Sequence, residues 1–115
     1  MTDKFTLKKG DTGVPLRVTL ADSAGPINLT GWTVRFVMTP AGSMTKKVDA
    51  LAAIDPDQTT NRGQISYAWQ NEDVDTPGLY ECEFICTMPD SKQVTFPRGA
   101  HSEAFNLIEI VEGKL

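Results

Sequence analysis

Residues 75–88 read DTPGLYECEFICTM, and this stretch decides the fold class. A Pro-Gly turn is followed by a long, clean alternation of side chains. The apolar face carries Tyr80, Cys82, Phe84, Cys86 and Met88, and the opposite face includes Glu81, Glu83 and Thr87. Such alternation with a period of two is typical of a β-strand that is buried on one face. The stretch therefore predicts a long strand packed against a β-sheet core.

The tyrosine of this strand indicates a tyrosine corner, and the spacing of its two cysteines excludes a disulfide between them. Tyr80 lies just after a turn and two residues before Cys82, as in the tyrosine corner of immunoglobulin domains. Cysteines four residues apart on one strand are separated by about 13 Å at roughly 3.3 Å per residue, beyond the roughly 7 Å between Cα atoms that a disulfide allows. We therefore interpret Cys82 and Cys86 as small buried hydrophobic residues. Cys82→Ala and Cys86→Ala should each destabilise the chain modestly and leave binding intact, and the unfolded, unreduced chain should contain two thiols.

The same alternation recurs along the rest of the chain. It predicts strands at 5–7, 14–20, 32–39, within 44–54, and at 65–69, 80–88, 93–96 and 105–111, with one helical turn at 70–75. The inward face of the last strand is either Phe105 with Leu107 or Ile108 with Ile110. Seven or eight short strands at this spacing predict an all-β fold, an antiparallel immunoglobulin-like β-sandwich forming a single domain over residues 1–115.

Composition and charge exclude several classes of function. The formal net charge of −4 argues against a nucleic-acid surface, which needs a clustered positive footprint. No apolar run approaches the roughly 20 residues of a membrane span. The opening residues MTDKFTLKK turn polar at once, so no signal peptide is expected. The two lysine pairs, Lys8-Lys9 and Lys46-Lys47, are interpreted as solvated strand edges.

No residue is predicted to be catalytic, to bind a cofactor or to ligate a metal. His101 is the sole histidine and stands in a loop without the spacing of a catalytic triad. Asp55, Asp57 and Asn61 resemble the start of a calcium loop, but the fixed glycine and terminal glutamate of that motif are missing, so we interpret them as a turn. The acidic residues of 71–75 are interpreted as a solvated cap of a helical turn. We therefore expect a protein that is not an enzyme.

The order of four segments resembles a known family. These segments are LKKGDTGVPLRVTLADSAGPINLTGWTVRFVM, GQISYAW, GLYECEFICTMPDSKQVTFP and FNLIEI, which together cover about Phe5 to Val111. They resemble the N-terminal domain of the baseplate upper proteins of tailed bacteriophages that infect Gram-positive hosts. PINLTGWTVRF followed much later by GLYECEF is the most telling part of the match. The matching residues are turn and core residues.

The resemblance implies an immunoglobulin-like assembly module of a phage tail or baseplate that docks onto a ring or hub protein. It implies no cofactor, other virion proteins as partners, a possible homo-oligomer, no nucleic-acid or membrane partner, and a virion location after synthesis in the host cytoplasm. The baseplate upper proteins continue into a helical linker and a receptor-binding-protein holder, whereas this sequence stops at Leu115. A small accessory protein of the tail, neck or head, and a host-surface module that binds a glycan or protein, are therefore alternatives. The candidate surfaces are Phe5 to Lys9, Pro40 to Arg62 and Pro97 to Ala104.

Overall fold

A computed structural model of the chain describes residues 4–96 and 107–112. Within them lie ten strands and one short 3₁₀ helix, Asn71–Asp73. The strands are β1 Lys4–Lys8, β2 Leu16–Thr19, β3 Ala21–Asp22, β4 Gly25–Pro26, β5 Thr33–Pro40, β6 Val48–Ile54, β7 Gln64–Tyr67, β8 Gly78–Thr87, β9 Gln93–Phe96 and β10 Leu107–Val111. The all-β prediction is confirmed, as is the strand predicted within residues 44–54.

Eight of these strands form one continuous curled sheet in the order β1-β10-β8-β5-β6-β7-β2, with β9 also paired to β8. β3 and β4 form a separate two-stranded sheet. The expected two-layer immunoglobulin-like sandwich is not confirmed. The reason lies in β6, whose residues 48–52 pair with β5 and whose residues 53–54 pair with β7. One strand thus joins what the sequence suggested would be two sheets.

The expectation of antiparallel pairing throughout needs one correction. β1 pairs with β10 in parallel, with Lys4 opposite Leu107 and Lys8 opposite Val111. Consecutive strands usually pair as hairpins, but β1 and β2 lie at opposite ends of the strand order. β1 therefore adds to β10, the last of the described strands, whose direction it shares.

β8 is the long strand with one buried face that its alternation predicts, and it lies inside the sheet. One side pairs with β5 from Tyr80 to Thr87. The other side pairs with β10 near its beginning and with β9 near its end. The predicted tyrosine corner is confirmed, because the Tyr80 hydroxyl donates a hydrogen bond to the carbonyl oxygen of Thr76 at 2.6 Å.

Loss of the corner hydrogen bond should be measurable. Tyr80→Phe is expected to lower the free energy of unfolding by about 1 kcal/mol, the usual net value of one hydrogen bond. Urea-induced unfolding would measure this difference. Thr76→Ala is the control, because it keeps the backbone acceptor and should leave the corner in place. A Tyr80→Phe protein as stable as the parent would show that the corner contributes nothing.

The inward faces of the strands form one core around Phe36. The ring centroid of Phe36 lies 5.0 Å from that of Tyr67, 5.3 Å from Phe84 and 5.8 Å from Trp69. The alternating residues Val34, Phe36 and Met38 of β5 are buried, whereas Trp32, which comes two residues before Val34 in the same alternation, is half-buried. In β10 the inward face is Ile108 with Ile110, which settles the choice that the sequence left open.

The interpretation of the cysteines as buried hydrophobic residues is confirmed. Cys82 and Cys86 are both thiols and both buried on the inward face of β8. Burial raises the pKa of each thiol to about 12, and the charge of Glu83 adds to the effect at Cys82. The folded chain therefore holds both sulfur atoms in the neutral form.

These raised pKa values predict an alkaline loss of stability. An unfolded thiol ionises near pH 8.5, so the unfolded state gives up protons that the folded state keeps, and the free energy of unfolding falls from about pH 9 to about pH 12. The expected loss is on the order of 2 kcal/mol per cysteine at about pH 10.5. Urea unfolding at pH 7.5 and 10.5 would measure it. The Cys82→Ala/Cys86→Ala double variant should lose less, and an equal loss in both proteins would assign the effect to other groups.

Candidate docking surface

The curled sheet ends in strands that have one open side. Among the described strands, β1 pairs only with β10, β2 only with β7, and β9 only with β8. An open strand presents backbone N–H and C=O groups that another chain can pair with. These three edges are therefore the parts of the sheet where strand addition is geometrically available.

The edge of β1 is partly closed by its own loop. The N–H of Lys9 donates to the carbonyl of Val111 at 2.7 Å. The backbone groups of β1 residues in phase with Lys9 therefore face β10, whereas those of Thr6 and Lys8 face the open side. The Lys8 N–H donates to the Asp11 carboxylate at 3.4 Å, and the Lys8 carbonyl accepts from the Asp11 N–H at 3.0 Å. The first predicted surface, Phe5 to Lys9, is thus an edge strand with one end blocked by Asp11.

The edge of β2 was not singled out from the sequence. The Leu20 N–H donates to the carbonyl of Gly63 at 2.8 Å, so the residues of β2 in phase with Leu20 pair with β7. The backbone groups of Arg17 and Thr19 therefore face the open side. Pro15 precedes the strand in the same phase and has no N–H to offer. A proline at a strand start was the only sequence signal for this edge.

The second predicted surface, Pro40 to Arg62, divides into three parts. Residues 41–47 form the loop of the β5–β6 hairpin, β6 lies inside the sheet, and residues 55–63 form a packed loop. Met44 at the hairpin tip is 97% exposed. Lys46 and Lys47 lie in this loop and not on the strand edge that was expected; Lys46 is exposed, whereas Lys47 is half-buried and its ammonium group lies 2.6 Å from the Asp75 carboxylate. That contact lowers the pKa of Asp75 and ties the hairpin loop to the turn before β8.

The loop at 55–63 is organised by a buried glutamine. The Oε1 atom of Gln58 accepts hydrogen bonds from the N–H groups of Leu29 and Gly63, both at 2.9 Å. Its Nε2 atom donates to the carbonyl oxygens of Asp55 at 2.8 Å and Asn61 at 3.5 Å. Gln58 thereby joins two loops that are far apart in the sequence and satisfies their buried backbone groups.

The carboxylates of the same loop accept hydrogen bonds that stabilise its turns. Asp57 accepts hydrogen bonds from the N–H groups of Thr60 and Thr59, and these, led by Thr60, lower the pKa of Asp57. The side-chain amide of Asn61 donates to the carboxylate of Asp55 at 3.2 Å. These contacts support the interpretation of Asp55, Asp57 and Asn61 as turn residues.

The acidic turn at 71–75 differs from the solvated cap that was expected. Asp73 is buried, and its carboxylate accepts hydrogen bonds from the Tyr67 hydroxyl at 2.6 Å and the Gln70 N–H at 2.9 Å. Burial, together with this carboxylate, raises the pKa of Tyr67. The turn therefore anchors the end of β7 to the core, while Glu72 and Asp75 remain exposed.

The outer face of the central strands is charged at one end. The Arg35 guanidinium pairs with the Asp49 carboxylate, which Lys46 also approaches at 3.4 Å. The hydrogen bond from Arg35 is the main cause that lowers the pKa of Asp49. Leu51, on the same face of β6, is 64% exposed. Both Glu81 and Glu83 are exposed on this face of β8.

The third predicted surface, Pro97 to Ala104, lies outside the described residues, and His101 lies there too. In residues 4–96 and 107–112, no three His, Cys, Asp or Glu side chains come together as a metal site would require. No helix in that part of the chain is long and apolar enough to cross a membrane. The geometry thus offers three sheet edges and the outer sheet face as surfaces for contact.

Comparison with known proteins gives the family. A family model described as the BppU N-terminal domain matches residues 2–97, which is most of the chain. No curated protein sequence matches the chain. The family resemblance drawn from the strand and turn motifs is confirmed. The chain therefore belongs to the BppU N-terminal domain family and is a phage baseplate-related structural protein.

Proposed function

We propose that the chain is a structural, non-catalytic assembly module that docks onto a ring or hub protein of the phage baseplate through the rim of its curled sheet. The observation that carries the proposal is the family match over residues 2–97. Family membership implies a virion location and interaction with other phage proteins. Copies of the module would be arranged by the symmetry of the ring on which they dock.

The packing of the domain supports this role. Its core joins strands from both halves of the sheet, and its long loop is fixed by the buried side chain of Gln58. A domain whose loops are held in this way presents its rim in one conformation, and preorganisation of this kind lowers the cost of association. The rim carries the open backbone edges through which β-sheet proteins add a partner strand.

The proposal is tested with the phage's own proteins. The chain would be co-expressed with each tail and baseplate protein of the same phage, and complexes identified by size-exclusion chromatography with mass measurement. Antibody labelling of mature virions would locate the chain on the particle. We expect a stable complex with one ring or hub protein and label at the baseplate. An unrelated β-sandwich domain of similar net charge is the control.

Two results together would contradict the proposal. The first is absence of the chain from mature particles, and the second is failure to bind any virion protein. Binding that disappears at high salt for both the chain and the control domain would also count against it, because such binding reflects charge alone.

A further inference from the structure

We propose that the open side of β2 is the acceptor edge of this module, and that its occupant is an extended segment of a partner protein carrying an acidic residue opposite Arg17. This inference rests on the proposed docking function and names the surface and the chemistry of the partner. Three features of the edge support it: the backbone phase of β2, the charge of Arg17 and the exposed side chain of Val14.

The backbone of β2 provides the pairing groups. Because the Leu20 N–H points to Gly63, the phase of the strand turns the N–H and C=O groups of Arg17 and Thr19 away from β7. No described residue forms a backbone hydrogen bond with these groups from the open side. An added strand would form up to four hydrogen bonds with two residues, as in β-strand addition at other sheet edges.

The side chains at this edge select the partner. The exposed Arg17 forms no ion pair with any described residue, and its cross-strand neighbour in β7 is the neutral Ser66. On the side of Arg17 away from Ser66, the cross-strand position would be filled by a residue of the incoming strand. Opposite charges directly across two strands stabilise the pair, so an acidic residue fits there. Arg17 also lines a shallow depression with Thr19, Gln64 and Ser66.

An apolar contact is available next to this site. Val14 lies just before Pro15 and is 75% exposed. Side chains alternate along a strand, so the neighbours of the acidic residue would point to the same side as Val18, toward the core. The occupant we propose is therefore a short extended segment with one acidic residue between two apolar ones.

Each of the three sheet edges contains one threonine whose N–H faces the open side, which gives a matched set of variants. The threonine of β2 is Thr19, and that of β1 is Thr6. In β9 the Met88 N–H bonds to the Lys92 carbonyl, so the phase of the hairpin turns Thr95 outward. Proline at each position removes an open-side N–H without breaking a ladder hydrogen bond. Thermal unfolding would verify that each variant folds.

The first experiment measures binding of these variants to the virion protein that the parent chain binds. Thr19→Pro and Arg17→Glu should each weaken binding about tenfold or more, because each removes a pairing group or reverses a charge at the contact. Thr6→Pro and Thr95→Pro should bind like the parent. Parent-like binding by Thr19→Pro and Arg17→Glu would overturn the inference and leave the docking function standing, and loss of binding in Thr95→Pro alone would move the contact to β9.

The second experiment needs no virion protein. The probes are the peptides SVTVEVTS and SVTVKVTS, which differ only in the central charge. Nuclear magnetic resonance should show the backbone amides of Arg17 and Thr19 shifting with the glutamate peptide. The parent should bind it about fivefold more tightly than the lysine peptide, with the preference reversed in Arg17→Glu. No shift at these amides at millimolar peptide would overturn the inference. Peptide binding at β2 by a chain that binds no virion protein would support the edge and contradict the docking function.

Discussion

Gly63→Ala is expected to lower the free energy of unfolding by about 2–4 kcal/mol. The loss has two causes, because alanine disfavours the left-handed backbone conformation at this position and its Cβ atom would clash with neighbouring backbone atoms. Gly63 has a φ of +81°, which favours glycine. A Cβ atom at this position would lie 2.5 Å from the carbonyl oxygen of Leu20 and 3.2 Å from the nitrogen of Ile27. Both are backbone atoms and cannot rotate away as the end of a side chain could.

The surroundings of Gly63 also resist movement. Its N–H donates to Gln58 Oε1 at 2.9 Å, and its carbonyl accepts from the Leu20 N–H at 2.8 Å. A backbone shift that relieved the clash would therefore stretch hydrogen bonds that satisfy buried groups. The stability loss comes from the close approach of two loops as well as from the backbone angle.

Gly42→Ala separates these two causes. Gly42 has a φ of +82°, almost the same as Gly63, but a Cβ there would meet nothing within 4 Å. Alanine at Gly42 should therefore cost only the conformational part, about 1 kcal/mol. Urea unfolding of both variants measures the difference. Equal losses would mean that the approach of Leu20 to Gly63 does not constrain the fold.

The local structure of β8 could be predicted from sequence because its determinants are local. Alternation fixes which side chains share a face, and the turn before Tyr80 places the corner, so the strand, its inward face and the corner residue follow from sequence, while the structure identifies the Thr76 carbonyl as the acceptor. The same alternation places Phe84 on the inward face of β8, where it lies opposite the buried Phe36 of β5 in the ladder.

The parts that were not predicted depend on contacts distant in sequence. Gln58 sits among polar turn residues, and its burial follows from a hydrogen bond to the N–H of Leu29, 29 positions earlier. The parallel pairing of β1 depends on β10, from the other end of the chain. The open edge of β2 depends on the same topology, because β1 lies at the opposite end of the strand order and, among the described strands, only β7 pairs with β2. Periodicity gives a strand its faces and does not give it its neighbours.

The same limit applies to the docking surface. The candidate surfaces from sequence were chosen by composition and position, whereas an edge is defined by which backbone groups lack a partner. Arg17 appears in the sequence as an ordinary outward residue of an alternating strand. Its significance emerges only when Ser66 is found on one side of it and no described strand on the other.

Phe36→Ala is expected to give the largest loss of stability, about 3–5 kcal/mol, the usual range for truncating a buried phenylalanine. Phe36 is fully buried on β5, and the rings around it belong to β7, to β8 and to the segment after β7. Each neighbouring ring is held by its own strand or turn, and Tyr67 is also bonded to Asp73. The cavity therefore cannot close by a small shift, and the cost should lie toward the upper part of the range.

The control for this variant is Leu51→Ala. Leu51 also loses a large apolar side chain from a strand next to β5, but it lies on the outer face and is 64% exposed. It should cost less than about 0.5 kcal/mol. Urea unfolding followed by near-ultraviolet circular dichroism would measure both variants. A loss below about 1.5 kcal/mol for Phe36→Ala would mean that the aromatic cluster is not the centre of the core.

This variant also separates stability from docking. A domain of this size is stable by about 5–15 kcal/mol, so Phe36→Ala removes a large share of that margin. The open-side pairing groups of β2 lie at the rim of the sheet, on a strand that pairs with β7 and not with the strand of Phe36, so the folded fraction of the variant should keep the parent's affinity for its partner. Its apparent affinity should fall only by the fraction of unfolded chain. Arg17→Glu should show the opposite behaviour, with unchanged stability and weakened binding, since surface substitutions usually alter stability by less than about 0.5 kcal/mol.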